Sequence, residues 1–341
     1  MRDGCSHDHR LQISEALDGH PRCQLGAYPT PLIAMERLSR QLGRRVLLKR
    51  DDILGPAAGG NKTRKLEFLL ADALERGMTR VVTVGGTQSN HARLTAAAAR
   101  LLGLEPHLLL IGSPPDKASG NLLLAKLLGA EVHFIPPGPM TEGRCGFDAF
   151  DEYVREQAHE RVGSHYHVPL GGSTGLGSLG YVRAALEIEE QARSAAASDA
   201  RVVLAAGSGG TLAGLWAGLQ LIGSSLNPLG IDIGSFWDDF PALVCRIAND
   251  ACDLLGVPSS FKAEGVPLVE STYVGSGYAV PTSKGAAAAE RLAMTEGVLL
   301  DPTYTAKAFA ALLDLLPSGQ LGDDDPVIFW HTGGLPGIFT V

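Results

Sequence analysis

Arg80-Val81-Val82-Thr83-Val84-Gly85-Gly86-Thr87-Gln88-Ser89-Asn90-His91-Ala92-Arg93 decides the fold class. A β-branched run reads as a strand, two glycines as a tight turn, and Ser89 or Asn90 as the cap of an alanine-rich helix reaching Leu102. The same alternation recurs outward from this stretch. Arg45–Lys49, Pro106–Ile111, Glu131–Ile135, Val202–Ala206 and Val327–His331 read as strands, and Lys65–Arg76, Asn121–Leu128 and Thr211–Ile222 as helices. Alternating strands and helices indicate parallel sheets covered by helices, an α/β architecture. The glycine-rich crossing Pro169-Leu170-Gly171-Gly172-Ser173-Thr174-Gly175 divides one run, 65–172, from a second that follows it.

At 341 residues the chain exceeds what one hydrophobic core usually serves, and 45% hydrophobic against 19% charged residues suits a large buried interior. A net charge of −8 without a basic block argues against nucleic acid and acidic membrane surfaces as partners. Val202–Ile231 carries no charged side chain, but Gly207-Ser208-Gly209-Gly210 and Ser224-Ser225 with Asn227-Pro228 break it. The helix left between them is too short to span a bilayer. Five scattered cysteines form neither a disulfide framework nor a zinc pattern and fit a reducing compartment. The polar N-terminus lacks a signal-peptide core, so the expectation is a cytoplasmic protein whose first dozen residues are loose. His7 and His9 read as part of that tail and His165 and His167 as a strand pair, so no metal is expected.

Four constellations carry chemistry. In Gly59-Gly60-Asn61-Lys62-Thr63-Arg64-Lys65 three cations crowd a helix start, where they oppose the macrodipole and call for an anion or a neutralised lysine. The turn Gly85–His91 offers backbone N–H groups to a carboxylate or phosphate. Gly207-Ser208-Gly209-Gly210-Thr211 has G-x-G, but Leu212 stands where the dinucleotide fingerprint requires glycine, so taken alone the turn says only that a phosphate monoester could sit there. Late in the chain come Asp301-Pro302-Thr303-Tyr304-Thr305 and His331-Thr332-Gly333-Gly334, which alone would read as core and strand-end residues. A lysine, a phosphate turn, a carboxylate turn and late hydroxyls together compose a site for pyridoxal 5'-phosphate.

G-G-N-K-T-R-K-L-E-F and T-Q-S-N-H-A-R resemble the family of D-cysteine desulfhydrase and 1-aminocyclopropane-1-carboxylate (ACC) deaminase. The likeness runs from Pro29-Thr30-Pro31-Leu32 through Lys49-Arg50-Asp51-Asp52 to His331–Gly334. It implies the tryptophan-synthase-β fold type: two open-sheet α/β domains with the cofactor in the cleft between them, in a homodimer. Residues 1–64 with 173–341 would form the larger, cofactor-binding domain, and 65–172 the smaller one. It further implies Lys62 as the Schiff-base lysine, Asn90 at the phenolic oxygen, and Gly207, Ser208, Gly209, Gly210 and Thr211 around the phosphate, aided by Lys65. Ser89 would receive the carboxylate of a small amino-acid substrate, Tyr278 and Tyr304 would face the reacting carbons, and Thr305 and Thr332 would lie by the pyridine nitrogen.

The deaminase pattern has Tyr-Glu where this chain has Tyr304-Thr305, and Leu where it has Thr332. A carboxylate would keep the pyridine nitrogen protonated and make a strong electron sink, which ring opening needs; hydroxyls suit expulsion of a good leaving group. The resemblance therefore points to a β-eliminating carbon–sulfur lyase acting on D-cysteine. L-cysteate sulfo-lyase is the nearest alternative and ACC deaminase a more distant one. A sulfonate substrate would require an arginine or lysine near the β-carbon. The segment Ile233-Gly234-Ser235-Phe236-Trp237-Asp238-Asp239 fits no motif and is expected to border the pocket.

Overall fold

The computed structural model describes residues 3–258, 260–322 and 325–340, with the side chains of residues 3–8 and 142 outside the description. Its strands are β1 (Leu32–Ala34), β2 (Val46–Arg50), β3 (Arg80–Gly86), β4 (Glu105–Ile111), β5 (Glu131–Ile135), β6 (Tyr166–Val168), β7 (Arg201–Ala206), β8 (Asn227–Asp232), β9 (Leu268–Val269) and β10 (Val327–His331). The helices are α1 (Asp3–Asp18), α2 (Glu36–Leu42), α3 (Lys62–Glu75), α4 (Asn90–Leu101), α5 (Gly120–Leu127) and α6 (Phe147–Val162). They continue with α7 (Gly175–Ser194), α8 (Gly210–Leu221), α9 (Phe240–Leu254), α10 (Ser283–Glu296) and α11 (Thr305–Leu315).

The strands form two sheets, the α/β architecture read from the alternation. One has six strands in the order β1-β2-β10-β7-β8-β9, and the other has four in the order β5-β4-β3-β6. Every pairing is parallel except β1 with β2. The central strands are buried on both faces, which is why Val-Val-Leu and Val-Ile-Phe-Trp run without polar interruption. Val202, Leu204, Ile328 and Trp330 pack toward α7 and α8; Val203 and Phe329 face the opposite layer with α10 and α11.

The carboxyl ends of β3 and β7 lead into α4 and α8, and that of β10 into the Thr332–Gly334 loop and a short 3-10 turn; open α/β sheets bind ligands at such strand ends. Helix α3 lies against both α7 and α4 and so couples the layers over the two sheets. The approach to α7 is close: a Cβ on Gly180 would sit 2.1 Å from the Arg64 carbonyl oxygen.

Two expectations are corrected. Helix α3 begins at Lys62 rather than Lys65, and of the three cations in its first turn Arg64 is compensated within the protein, while Lys62 and Lys65 have no carboxylate partner among the described residues. Arg64 pairs with Asp51 at 2.8 Å and Glu187 at 2.9 Å, while Lys49 also bonds Glu187. Of the first dozen residues expected to be loose, Met1 and Arg2 lie outside the described residues and the rest lie in α1, which docks through Ile13 and Leu17, buried against Phe68, Leu179 and Ile222. Among the described residues, no helix is long and apolar enough to cross a membrane.

Candidate active site

A cavity of about 600 Å³ opens where the strand ends meet, lined by residues of both sheets. Lys62, Ser89, Asn90, Gly207, Ser208, Gly209, Thr211, Tyr278, Tyr304 and Thr332 all line it. Lys62 opens α3 and donates to Asn61 Oδ1 at 3.2 Å, its one hydrogen bond among the described residues. Desolvation by the cavity walls lowers its amine to about 8. Asn61 in turn donates to Thr211 Oγ1 at 3.0 Å and so ties the lysine to the glycine turn after β7.

That turn is built for close approach. Gly209 has φ +89°, and a Cβ on Gly210 would lie 2.9 Å from Lys65 Nζ and from Ser173 Oγ. Lys65 stands behind the turn, outside the cavity lining, and donates to the Gly171 carbonyl (3.1 Å) and Ser173 Oγ (3.2 Å). Burial first, and then the charge of Lys62, hold its amine well below the ordinary range. No carboxylate partners this lysine, and no Asp or Glu lines the cavity among the described residues. The arrangement has two amines, a glycine cradle and the N-terminus of α8, and it lacks an anion.

On the opposite wall Ser89 caps α4, its Oγ accepting from the Ala92 N–H at 3.1 Å, which leaves the hydroxyl proton to donate elsewhere. Asn90 is oriented from behind: its Oδ1 accepts from Asn121 Nδ2 at 2.9 Å, leaving its own amide N–H groups to face the cavity. Asn121 accepts from Arg93 Nε at 2.8 Å, and fully buried Arg93 bonds the carbonyls of Ala57 and Gly59 in the loop before Lys62. Desolvation lowers that guanidinium to about 10.

The hydroxyls of Tyr278 and Tyr304 hydrogen-bond each other. Burial is the leading cause that raises both phenols, so both are neutral at physiological pH. Tyr278 packs edge-on to Phe236 at 4.6 Å and lies on a loop fastened by Lys307, whose buried Nζ donates to the carbonyls of Val274 (2.7 Å) and Gly277 (3.1 Å).

Thr332 reaches the cavity but Thr305 does not. At 1% exposure, Thr305 accepts the Asp301 N–H at 2.9 Å and donates to Asp301 Oδ1 at 2.7 Å, locking the turn that carries Tyr304. The Asp301 carboxylate also accepts from the N–H groups of Thr303, Tyr304 and Thr305, so it is consumed within the turn.

Gly234, Ser235 and Phe236 border the cavity, and Trp237 Nε1 donates to the Gly207 carbonyl at 3.0 Å. The reading of the sequence singled out neither Asn61, Asn121, Arg93 and Lys307 nor Arg144. Arg144 stands at the mouth of the cavity and bonds Ser235 Oγ (2.9 Å from Nε) and Ser271 Oγ (2.8 Å from Nη2). Asp232 braces both serine turns by accepting the N–H groups of Gly234 and Ser235 at 3.0 Å and of Ser271 at 3.4 Å.

A two-sheet α/β protein with a lysine of lowered basicity and a glycine phosphate cradle in one cleft defines a fold type II pyridoxal-phosphate enzyme. The sequence comparisons agree. The family model "Pyridoxal-phosphate dependent enzyme" matches residues 23–333, and the chain belongs to that family. It is 40% identical over 325 residues to a D-cysteine desulfhydrase of Klebsiella pneumoniae, covering 94% of this chain and 95% of that one. It is 39% identical over 330 residues to a Pyrococcus horikoshii protein carrying the provisional name 1-aminocyclopropane-1-carboxylate deaminase, covering 96% of each. Among solved structures, an ACC deaminase homologue superposes with a TM-score of 0.84 at 38% identity over 96% of both chains.

The cleft fits the cofactor. Among the described residues, buried Lys65 and the tight Gly209-Gly210 cradle have no carboxylate near them, and a bound phosphate would supply the missing anion. Covalent capture by cofactor-free protein requires the neutral Lys62 amine. Its rate should rise about tenfold from pH 7 and level off above about 8, whereas an ordinary lysine would keep gaining past pH 10. Stopped-flow absorbance of apoprotein mixed with pyridoxal phosphate would test this.

Proposed function

We propose that this enzyme is a β-eliminating lyase that converts D-cysteine to sulfide, ammonia and pyruvate. The observation that carries the reading is the absence of any carboxylate from the described cavity lining, where Thr332 offers a hydroxyl and Asp301 is consumed by its own turn. The names of two relatives, a D-cysteine desulfhydrase and an ACC deaminase homologue, leave both chemistries open. The hydroxyl environment favours elimination over ring opening.

When bound, pyridoxal phosphate supplies an aldehyde that condenses with amines and a conjugated ring that takes up the electron pair left at Cα. The chain's residues do the rest. The Gly207–Thr211 turn, with the positive Lys65 behind it, would hold the phosphate, and the Asn90 amide would donate to the phenolic oxygen. Ser89 with the N-terminus of α4 receives the substrate carboxylate, which sets the Cα–H bond toward Lys62. The Lys62 amine would remove the α-proton, a role its lowered basicity suits. The Cβ–S bond then breaks, and the Tyr278–Tyr304 pair donates a proton to the departing thiolate. Water hydrolyses the released enamine to pyruvate and ammonia.

Replacing Ser89 with alanine should lower kcat/KM for D-cysteine by ~10- to 150-fold, the equivalent of ~1.5–3 kcal/mol for a hydrogen bond to a charged group. Cofactor absorbance should persist, and the lost cap should cost about 1 kcal/mol of stability in a denaturant titration. Lys307→Met should retain cofactor but lower kcat on the order of tenfold, because losing ~1.4 kcal/mol of positioning at Tyr278 costs that factor. Steady-state kinetics on the two variants distinguish binding from positioning.

A second reading is favoured by Arg144. A guanidinium at the cavity mouth, aimed by Ser235 and Ser271, supplies the cation that a sulfonate on the β-carbon requires. On that reading the substrate is L-cysteate and the product sulfite, and Arg144→Ala would abolish the preference. The homodimer and the cytoplasmic location belong to the same proposal; Cys23, Cys145, Cys245 and Cys252 are free thiols, as a reducing compartment would have them. Sedimentation of the holoenzyme tests the dimer.

A further inference from the structure

His107, Glu131 and His133 lie on the small sheet, away from the cavity. The parallel pairing of β4 with β5 sets His107 opposite Glu131, and His133, two residues on, shares that face. The sequence reading passed over these histidines because only strand pairing brings them together. Their imidazole rings stack at 5.9 Å and 10°. His107 Nδ1 approaches Glu131 Oε2 at 3.4 Å and His133 Nε2 approaches Glu131 Oε1 at 3.4 Å. Both nitrogens are buried and have no hydrogen-bond partner.

Orphaned polar atoms of this kind are costly, and two aimed at one carboxylate need a common reason. The three donor atoms lie within 4.8 Å of one another. A tetrahedral ion with bonds of ~2.0–2.1 Å places neighbouring donors ~3.3–3.4 Å apart. The two nitrogen–oxygen separations already match that edge. Arg80, on the neighbouring β3, is engaged by Glu105 at 3.2 Å. Glu131 is 62% exposed, which leaves an entry path and room for a water as fourth ligand.

We infer that His107, His133 and Glu131 form a binding site for a divalent first-row transition ion, zinc foremost, that fastens edge strand β5 to β4. Two imidazoles and a carboxylate are the donor set such ions take, and they discriminate against magnesium and calcium. His107 lies four residues before Ile111, the β4 residue that borders the cavity, so about 13 Å of strand separates the two sites. The ion therefore serves stability, and turnover does not require it.

Calorimetric titration of chelator-treated holoenzyme with zinc chloride, beside His133→Gln and Glu131→Gln, tests the site. Both substitutions fall at positions that are not fully buried and leave His107 in place, so folding is checked independently by thermal unfolding. The expected result is one zinc per chain in the unmodified enzyme. Affinity should fall by more than the ~10- to 100-fold that loss of a supporting contact alone would cost. Zinc should raise the unfolding temperature of the unmodified enzyme only, with D-cysteine turnover unchanged. Absence of saturable binding, or equal affinity in His133→Gln, would overturn the assignment by showing that the ion, if bound, sits elsewhere.

Discussion

Lys62→Ala is expected to lose covalent cofactor and turnover together, by at least ~10⁴-fold, because in the proposed mechanism one amine serves as both anchor and base. Borohydride treatment of the unmodified holoenzyme should fix the cofactor on Lys62, which a peptide map would locate. Lys49 and Lys65 are the controls. Lys49 is locked to Glu187 and Gln191, and Lys65 is enclosed by Gly171 and Ser173. Reduced cofactor on either would mean that the cavity's chemistry has been assigned to the wrong amine.

Tyr304→Phe should have the second-largest effect, and its size should depend on the leaving group. Thiolate departure gains from a proton donor, and a positioned general acid contributes ~10²–10⁴-fold. Elimination from D-cysteine should therefore fall at least ~10²-fold. β-Chloro-D-alanine, whose chloride leaves without a proton, should be eliminated at nearly the original rate. A loss of equal size on both substrates would show that Tyr304 positions rather than protonates. Tyr278→Phe should show the same leaving-group dependence in weaker form, since the two hydroxyls share one hydrogen bond.

The residues that carry the chemistry were legible where they are contiguous. Strand–glycine–helix units place Ser89 and Asn90 at one helix start and Thr211 at another, because turn geometry is a local property of the chain. What joins them was not legible. Asn121 orients Asn90, Lys307 fastens the Tyr278 loop and Arg144 reaches the cavity mouth, each across a long sequence separation that only packing closes. The charges in the first turn of α3 were read as awaiting a ligand, yet Asp51 and Glu187 already answer Arg64; only Lys62 and Lys65 still lack an anion. Thr305 shows the same limit from the other side: its identity marks a departure from the deaminase pattern, while its hydroxyl is spent on Asp301. Helix α1 escaped notice because a polar N-terminal stretch conceals the two apolar positions, Ile13 and Leu17, that dock it.

The most direct test of elimination against ring opening is the product released by the unmodified holoenzyme from D-cysteine, L-cysteate and ACC under one set of conditions. If, as proposed, Thr332 and no carboxylate stands beside the ring nitrogen, sulfide and pyruvate should appear in equal amounts from D-cysteine. 2-Oxobutanoate from ACC should form at least ~10²-fold more slowly, equivalent to ~2.7 kcal/mol in the barrier. Release of 2-oxobutanoate at a rate comparable to pyruvate would contradict the account.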